Sequence, residues 1–212
     1  MTCCQREMID DRFDQDFVAK KVQQYRRSGL KTETKLLVEA LKSEGVDGLT
    51  LLDVGGGLGT IAHELMRAGI RQTVSVEASQ AFIDAAQTEA ARQQLADKMT
   101  FLHGDLVELA PQVSKADVVT LHKVVCCYRD MESLVRVSVE KAEKFYALVY
   151  PRDNWWVKMA FEFENLFEKL KGSPWRVYVH PTREVDRIIR EHGLRQRFHQ
   201  ALIDWQILVY GF

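Results

Sequence analysis

The 212-residue sequence contains few cysteines, and their spacing is unlike that of a zinc site. Its four cysteines form two adjacent pairs, Cys3–Cys4 and Cys126–Cys127. Adjacent cysteines suit neither a disulfide framework nor a C-x-x-C metal motif. We therefore expect free thiols, no metal site and a reducing, cytoplasmic setting. Cys126 and Cys127 are interpreted as small buried apolar residues and not as nucleophiles.

The sequence also lacks a long apolar run and an excess of charge of either sign. No segment approaches the roughly 20 apolar residues that span a bilayer, and the polar, acidic start is unlike a signal peptide. A net charge of -1 disfavours a dedicated nucleic-acid-binding or membrane-surface protein. We expect a monomer or homodimer without a nucleic-acid partner. Basic residues concentrate in 12–35 and 171–200, which indicates either solvated helix faces or a rim that attracts an acidic substrate.

What the sequence does contain is an apolar segment that runs into a glycine cluster. Residues 49–69 read LTLLDVGGGLGTIAHELMRAG. A strand, a glycine-rich turn and a helix in this order begin a nucleotide-binding βαβ unit. The glycines permit backbone angles closed to other residues and let a ligand lie against bare backbone. The free N–H groups at the start of the helix then face that ligand.

Strand and helix patterns alternate along the rest of the chain. Strands are predicted at residues 49–54, 73–76, 99–102, 117–121 and 145–150, followed by an antiparallel closing pair at 196–201 and 204–210. This alternation predicts an α/β fold: a doubly wound, Rossmann-like, mostly parallel seven-stranded sheet with an antiparallel last strand. Residues 176–179 are either a short strand or an extended link, and Thr182 is the predicted N-cap of a late helix.

Two helical regions flank this pattern. Residues 14–41 are predicted to be helical with a break near Gly29, so we divide the chain into an N-terminal helical extension, 1–45, and a core domain, 46–212. The extension is predicted to act as a lid, because a basic, glycine-hinged stretch directly precedes the core. Residues 154–171 form an aromatic-rich helix. Its aromatic residues would suit a flat, apolar, acidic substrate, but several apolar residues share one face, which favours core packing: Trp156, Ala160, Phe163, Phe167 and Leu170.

Two ligands compete for the glycine turn. Residues 57–62 fit the dinucleotide pattern G-x-G-x-x-G/A, and Glu77 follows at the spacing of a ribose-binding acid. Asp53, which precedes the glycines, discriminates between the two ligands. A buried carboxylate there would repel a pyrophosphate but attract a cofactor with an ammonium and a sulfonium.

Asp53-x-Gly55-x-Gly57-x-Gly59 resembles the first motif of class I S-adenosylmethionine-dependent methyltransferases. Glu77 resembles the acid that accepts hydrogen bonds from the ribose hydroxyls in that family, and Gly104-Asp105-Leu106 resembles its adenine-reading segment. The resemblance implies S-adenosylmethionine as cofactor. The lid is expected to place Tyr25, Arg26 or Lys31 near the methionine carboxylate. The predicted cofactor-binding residues are Tyr25, Lys31, Asp53, Gly55, Gly57, Gly59, Glu77, Ala78, Gly104, Asp105, Leu106 and His122.

The end of the predicted fourth strand bears on the methyl acceptor. The family's enzymes for exocyclic base amines carry Asn/Asp-Pro-Pro-aromatic there, and cytosine-C5 enzymes carry Pro-Cys. Residues 121–128 read LHKVVCCY and match neither. His122 is the candidate polar group beside the transferred methyl, although a structural histidine fits equally well. Tyr128 either lines the acceptor pocket or packs; we take both residues as catalytic candidates.

A narrower resemblance is to the magnesium-protoporphyrin IX methyltransferase branch, which methyl-esterifies a porphyrin propionate. It rests on residues 125–128, 172–174 and 176–180. Departures at Leu30, Cys127 and Arg129 lie around the expected acceptor pocket, so the substrate does not carry over. The prediction is O-methylation of a small molecule, with an acidic, aromatic, tetrapyrrole-like carboxylate as one acceptor. The alternatives are an NAD-dependent oxidoreductase and a non-catalytic S-adenosylmethionine-binding module.

Overall fold

A seven-stranded sheet forms the centre of the structure, a computed structural model that describes residues 9–212. Its strands are β1 (Thr50–Val54), β2 (Gln72–Glu77), β3 (Met99–His103), β4 (Ala116–His122), β5 (Ala142–Pro151), β6 (Arg195–Ala201) and β7 (Trp205–Gly211). The spatial order is β3-β2-β1-β4-β5-β7-β6. β1 to β5 pair in parallel, and β7 runs antiparallel to both β5 and β6. The predicted fold class is confirmed.

Helices cover the sheet and precede it. They are α1 (Gln15–Ser28), α2 (Thr32–Glu44), α3 (Thr60–Arg67), α4 (Gln80–Arg92), α5 (Leu106–Leu109), α6 (Met131–Val139), α7 (Trp155–Leu170) and α8 (Thr182–Glu191). The predicted break between the first two helices is present, and Gly29 stands there with a φ of +67°. Among residues 9–212, no helix is long and apolar enough to cross a membrane. The Cys3–Cys4 pair lies outside the described residues.

The strand order reverses at β1, which pairs with β2 on one side and β4 on the other. The chain therefore continues from β1 toward one side of the sheet and returns at β4 on the other side. Connections that lead in opposite directions leave a crevice at the carboxyl ends of the strands. β1 and β4 are almost entirely buried, as expected for parallel strands covered on both faces. The sheet therefore presents Asp53, Glu77 and His122 at or near the ends of three neighbouring strands.

The N-terminal extension is not uniform. In α2, Leu37, Val38 and Leu41 are fully buried in the apolar core against the sheet. α1 buries only Val18. The second helix of the predicted 1–45 extension thus contributes to the core, whereas α1 lies on its surface.

Two details of the C-terminal third differ from prediction. Pro181, not Thr182, occupies the N-cap position of α8, and Thr182 begins the helix. The Thr182 hydroxyl instead accepts a hydrogen bond from the side-chain amide of Gln206 at 2.8 Å. Residues 176–179 form an extended link without strand pairing.

The prediction that the aromatic face of α7 packs into the core is wrong. Phe163 is 64% exposed, and Phe167 and Leu170 are also exposed. The helix turns a different face inward, where Val157 is buried and the Phe161 ring contacts the Trp205 ring. Because apolar residues occur on several sides of α7, periodicity alone did not identify which side is buried.

Candidate functional site

A cavity of about 340 Å³ lies at the carboxyl ends of β1, β2 and β4. It gathers residues that are far apart in the sequence, as expected at a topological switch point. Gly59 is not in the cavity wall and instead occupies the N-cap position of α3. Arg26, one of the three lid candidates, is also outside the wall and pairs with Glu89. The remaining predicted site residues line the cavity: Tyr25, Lys31, Asp53, Gly55, Gly57, Glu77, Ala78, Gly104, Asp105, Leu106, His122 and Tyr128.

The glycine turn is close-packed as well as conformationally unusual. Gly55, Gly57 and Gly59 have φ values of +63°, +53° and +72°, a region that disfavours other residues. Gly56 is restricted by space instead. A Cβ at Gly56 would lie 2.5 Å from the Ser75 hydroxyl oxygen and 2.9 Å from Asp53 Oδ2. The turn therefore leaves only bare backbone between the cavity and the Asp53 carboxylate.

Asp53 is a fully buried acid that lacks a full set of partners. Its Oδ1 accepts a hydrogen bond from the Thr120 hydroxyl at 2.6 Å. Its Oδ2 has no hydrogen-bond partner among residues 9–212. Burial raises the pKa of Asp53 to about 7; the Thr120 hydrogen bond opposes this rise and the Glu77 charge adds to it. Such a group gains most from a cationic ligand that restores the ionised form.

Glu77 ends β2 and braces the turn. Its Oε2 accepts from the Gly57 N–H at 3.0 Å, and its Oε1 accepts from the Ser79 N–H at 2.9 Å. Burial raises the pKa of Glu77, although these backbone donors oppose the rise. A carboxylate can accept more than two hydrogen bonds, so Glu77 can also receive ligand hydroxyls. The sequence indicated the ligand role but not the contact with Gly57.

The structure brings Tyr128 to Asp105 instead of to His122. Asp105 Oδ1 accepts from the Val107 N–H at 3.0 Å, and the Tyr128 hydroxyl donates to the same oxygen. Asp105 is thereby fixed at the start of α5. This contact orients the acid on the side of the cavity where the sequence placed adenine recognition.

His122 ends β4 and contacts α2. Its Nε2 lies 3.0 Å from the Thr34 hydroxyl. Burial lowers the pKa of His122 to about 4, and the nearby Lys123 charge adds to the effect. The imidazole is therefore neutral at pH 7 and is a weak base.

Lys123 follows His122 in a left-handed conformation, with a φ of +62°. Its Nζ pairs with Glu33 at 2.5 Å and lies 4.0 Å from the centre of the Trp205 ring. Glu33 and Thr34 both belong to the first turn of α2, so this turn holds both residues at the end of β4. The sequence did not reveal these contacts, because they join segments that are distant along the chain.

Lys21 is a cavity residue that the sequence reasoning missed. Burial lowers the pKa of Lys21, and the positive charges of Lys31, Lys123 and Arg12 lower it further. No ion pair of the described residues includes Lys21 or Lys31, whereas Lys123 is paired with Glu33. The cavity thus has unneutralised positive charge at one side. A basic, amphipathic α1 was the only signal, and it resembles an ordinary solvated helix.

Aromatic rings form the wall beside Lys21. The Phe13 ring lies 5.4 Å from Phe17, 5.5 Å from Phe82 and 5.4 Å from Trp175, measured between centroids. Lys21 Nζ lies 4.9 Å from the Phe17 centroid. This wall is apolar and close to the positive charge, so it fits a ligand with a flat apolar body and an acidic group.

The adjacent cysteines differ in position. Cys126 is buried, as expected, while Cys127 is partly buried and reaches the cavity wall. The hydrogen bond with Cys126 and burial raise the pKa of the Cys127 thiol. A thiol in this state is a poor nucleophile. Among residues 9–212, no cluster of three or more His, Cys, Asp or Glu side chains could hold a metal ion.

Comparison with known proteins finds a family model that matches part of the chain. The family model described as "Methyltransferase domain" matches residues 52–139. A curated ribosomal protein L11 methyltransferase from Aliivibrio salmonicida is 26% identical over 113 residues, which cover 53% of this chain and 37% of that protein. This chain therefore aligns with little more than a third of that relative's length.

Two solved structures share the fold over nearly the whole chain. The magnesium protoporphyrin IX methyltransferase from Synechocystis PCC 6803 with bound S-adenosylhomocysteine has a TM-score of 0.75 at 17% identity; the alignment covers 98% of this chain and 99% of that one. An O-methyltransferase family protein from Burkholderia thailandensis has a TM-score of 0.72 at 16% identity, covering 97% and 61%. At these identities the likeness establishes the fold.

Steric exclusion at Gly56 gives a first prediction. Gly56→Ala is expected to weaken binding of S-adenosylhomocysteine at least about tenfold and to destabilise the fold by about 1–3 kcal/mol, because its Cβ would displace the Asp53 carboxylate. Calorimetric titration and thermal unfolding measure the two effects. Gly45→Ala is the control. The alanine Cβ would have no atom within 4 Å, but a φ of +84° disfavours alanine, so stability should fall while binding stays unchanged. Unchanged binding by Gly56→Ala would contradict the close packing of the turn.

Proposed function

We propose that this chain, a class I S-adenosylmethionine-dependent methyltransferase in fold and motifs, methylates a carboxylate oxygen of a small acidic molecule. The observation that carries the acceptor class is the unneutralised positive charge at Lys21 and Lys31 in the cavity. If Lys31 binds the carboxylate of the cofactor, Lys21 is available to attract an anionic group of the acceptor.

The cavity residues fit the cofactor on physical grounds. Asp53 Oδ2 is a buried oxygen without a partner, and the cofactor's positive end would supply one. Glu77 is held by backbone N–H groups in a position to accept ribose hydroxyls, and Asp105 is fixed at the start of α5. When bound, S-adenosylmethionine supplies an electrophilic methyl group on a positively charged sulfur.

The charge count supports an acidic acceptor. Lys123 is neutralised by Glu33, which leaves Lys21 and Lys31 as the lysines of the wall without a carboxylate. The cofactor carries one carboxylate, which Lys31, at the start of α2, can bind as the sequence predicted. Lys21 then remains for an anionic group of the acceptor. Removal of water from this site would strengthen that attraction.

The basicity of the site favours a carboxylate acceptor over a phenol or an amine. A carboxylate is already nucleophilic at neutral pH, whereas a phenol or an ammonium must lose a proton to a base. His122, with its pKa lowered to about 4, is poorly matched to that task. In this proposal His122 orients the acceptor through Nδ1, since Nε2 faces the Thr34 hydroxyl, and Tyr128 acts indirectly by holding Asp105.

The aromatic wall indicates the shape of the rest of the acceptor. Phe13, Phe17, Phe82 and Trp175 present an apolar surface next to Lys21. A flat aromatic acid, such as a tetrapyrrole with a carboxylate side chain, combines these features. A solved relative in fold is a magnesium protoporphyrin IX methyltransferase, which makes tetrapyrroles the first acceptors to test.

We further propose that α1 is the movable part of the lid. It contributes Lys21 and Tyr25 to the cavity wall but only Val18 to the core. Gly29 follows the C-terminus of α1 with a φ of +67°, and it is the proposed hinge because glycine adopts such backbone angles readily. α2 stays fixed because its apolar face is buried.

Methyl-labelled S-adenosylmethionine tests the proposed reaction directly. We expect labelled product from porphyrin carboxylates and other flat aromatic acids, and we expect mild base to release the label as methanol because the product is an ester. Asp53→Asn protein serves as the inactive control. Base-stable label would indicate a different acceptor atom, and label on ribosomal protein L11 would indicate a protein acceptor. Stabilisation by NAD but not by S-adenosylhomocysteine would reject methyl transfer altogether.

A further inference from the structure

The outward side of α7 is an apolar stripe that is largely uncovered by the described chain; at its C-terminal end, Lys171 Nζ lies 4.0 Å from the centre of the Phe167 ring. Trp155 is 74% exposed and Leu170 is 78% exposed, and Phe163 lies between them. Spacings of three and four residues place the stripe on one side of the helix. The exposed members of this α7 stripe are Trp155, Met159, Phe163, Leu166, Phe167 and Leu170.

The area of the α7 stripe is that of a protein–protein interface. Aromatic side chains cover about 150–250 Å² each when buried, so the six exposed fractions amount to roughly 800 Å² of apolar surface. Monomeric proteins rarely expose a contiguous apolar patch larger than about 300–600 Å². Two such stripes in contact would bury roughly 1,600 Å², the size of a standard stable interface.

We propose that the α7 stripe pairs with the α7 stripe of a second copy of this chain. The helix is about 24 Å long at 1.5 Å per residue, and the apolar side chains extend from its first residue to its last. An antiparallel pair related by a two-fold axis near Phe163 would bring Trp155 against the partner's Leu170 at each end. The same patch then serves both copies, as in most homodimers.

The charges on α7 favour a second copy over other occupants. Lys158 and Lys169 are interspersed with Glu162, Glu164 and Glu168, so the helix carries both signs in nearly equal number. A helix that lies on an anionic membrane has a polar face rich in lysine or arginine, and a nucleic-acid or acidic-peptide site has a basic rim. A near-neutral apolar stripe is instead complementary to itself.

The inner side of α7 connects this surface to the cavity. The Asn165 side chain donates to the Val177 carbonyl and accepts from the Val177 N–H, both at 2.9 Å. In the same link, Tyr178 N–H donates to the Cys126 carbonyl, and His180 Nε2 lies 2.7 Å from the Tyr128 carbonyl. Pairing of two copies through α7 would thus brace a segment that leads to the cavity wall. The inference itself does not depend on the proposed reaction.

Sedimentation equilibrium of the full chain tests the pairing. We expect a mass of about twice 24.4 kDa for the natural protein, and 24.4 kDa for Phe163→Glu, in which association should weaken on the order of 100-fold or more. The control is Phe212→Glu, which makes the same change at a residue that is 57% exposed. Phe212 lies near the start of β5, whereas α7 follows the end of β5, so this variant should remain dimeric. If Phe163→Glu does not fold by circular dichroism, Leu170→Glu replaces it.

Mixing of charge variants distinguishes self-pairing from every other role of the stripe. Phe163→Glu and Phe163→Lys should each be monomeric alone, and should form a dimer when mixed, because the two charges meet near the proposed axis. A natural protein that stays monomeric at concentrations up to roughly 100 μM would overturn the proposal. A dimer that persists in Phe163→Glu would overturn it too, as would a monomer that binds phosphatidylserine vesicles through the stripe.

Discussion

Asp53→Asn is expected to weaken binding of S-adenosylhomocysteine by about 100-fold or more and, at the same time, to raise the melting temperature of the ligand-free protein at pH 8. The loss of affinity follows from removal of a buried negative charge that would face the ligand's ammonium group, since charge-assisted contacts in a desolvated site are among the strongest. The gain in stability follows from the poor solvation of that same charge. Asn keeps an oxygen that can accept from the Thr120 hydroxyl.

The pH dependence distinguishes this explanation from general damage. The pKa of Asp53 is raised to about 7 in the folded protein, against about 3.9 in an unfolded chain. The folded state therefore binds the proton more tightly, and the associated stability is present below about pH 4 and lost as the pH rises toward 7. The stabilising effect of Asn should be small at pH 4 and reach about 4 kcal/mol at pH 8, at about 1.36 kcal/mol for each pKa unit.

Ligand affinity should show the complementary trend. Binding of a cationic group requires the ionised carboxylate, so the affinity of the natural protein should fall as the pH drops below 7, whereas that of Asp53→Asn should not. Asp117→Asn provides a control for which the expected change in stability has the opposite sign. Burial acts to raise the pKa of Asp117, but its bonds to Thr50 and Lys144 lower it overall, so its loss should destabilise the protein at neutral pH. A stable Asp53→Asn protein with full affinity would show that the motif is misassigned.

The fold was largely predictable because its signals are local. β1 and β4 are continuous apolar runs, and Asp53 and Glu77 stand at or near strand ends, where a parallel sheet collects its functional groups. The break at Gly29 was likewise visible in the sequence. Apart from Gly59, the predicted cofactor-binding residues lie in one cavity, because strand order and crossover direction leave few alternatives.

The parts that escaped prediction depend on contacts between distant segments. Nothing near Thr34 in sequence indicates its hydrogen bond with His122, and nothing near Tyr128 indicates Asp105 as its partner. Lys21 lies on an amphipathic helix, and the pattern of polar residues does not show whether a polar side chain faces a cavity or the solvent. In α7 the apolar residues occur on several sides, so the apolar periodicity predicted burial of a face that is in fact exposed. Local sequence specifies an element, while packing decides which of its faces is used.

Lys21→Glu is expected to lower kcat/KM for an acidic acceptor by about 100-fold or more while S-adenosylhomocysteine affinity changes only a few-fold. The substitution replaces attraction by repulsion at the acceptor side of the cavity, and like charges brought together at a binding surface disfavour binding strongly. Lys31 remains for the cofactor's carboxylate. A steady-state assay with an aromatic carboxylic acid, together with calorimetric titration of S-adenosylhomocysteine, separates the two sites.

Two further variants test the physical cause. Lys35→Glu makes the same change of charge on the exposed surface of α2, outside the cavity wall, and should leave kcat/KM nearly unchanged. Lys21→Met keeps the apolar stem and removes the charge, so it should also lose turnover of the acid. Because burial and the charges of Lys31, Lys123 and Arg12 already disfavour the Lys21 cation, Met should not reduce stability and should raise it slightly. Full turnover of the acidic acceptor by Lys21→Glu would mean that the acceptor's charge is bound elsewhere, whereas a parallel loss of cofactor affinity would assign Lys21 to the cofactor instead.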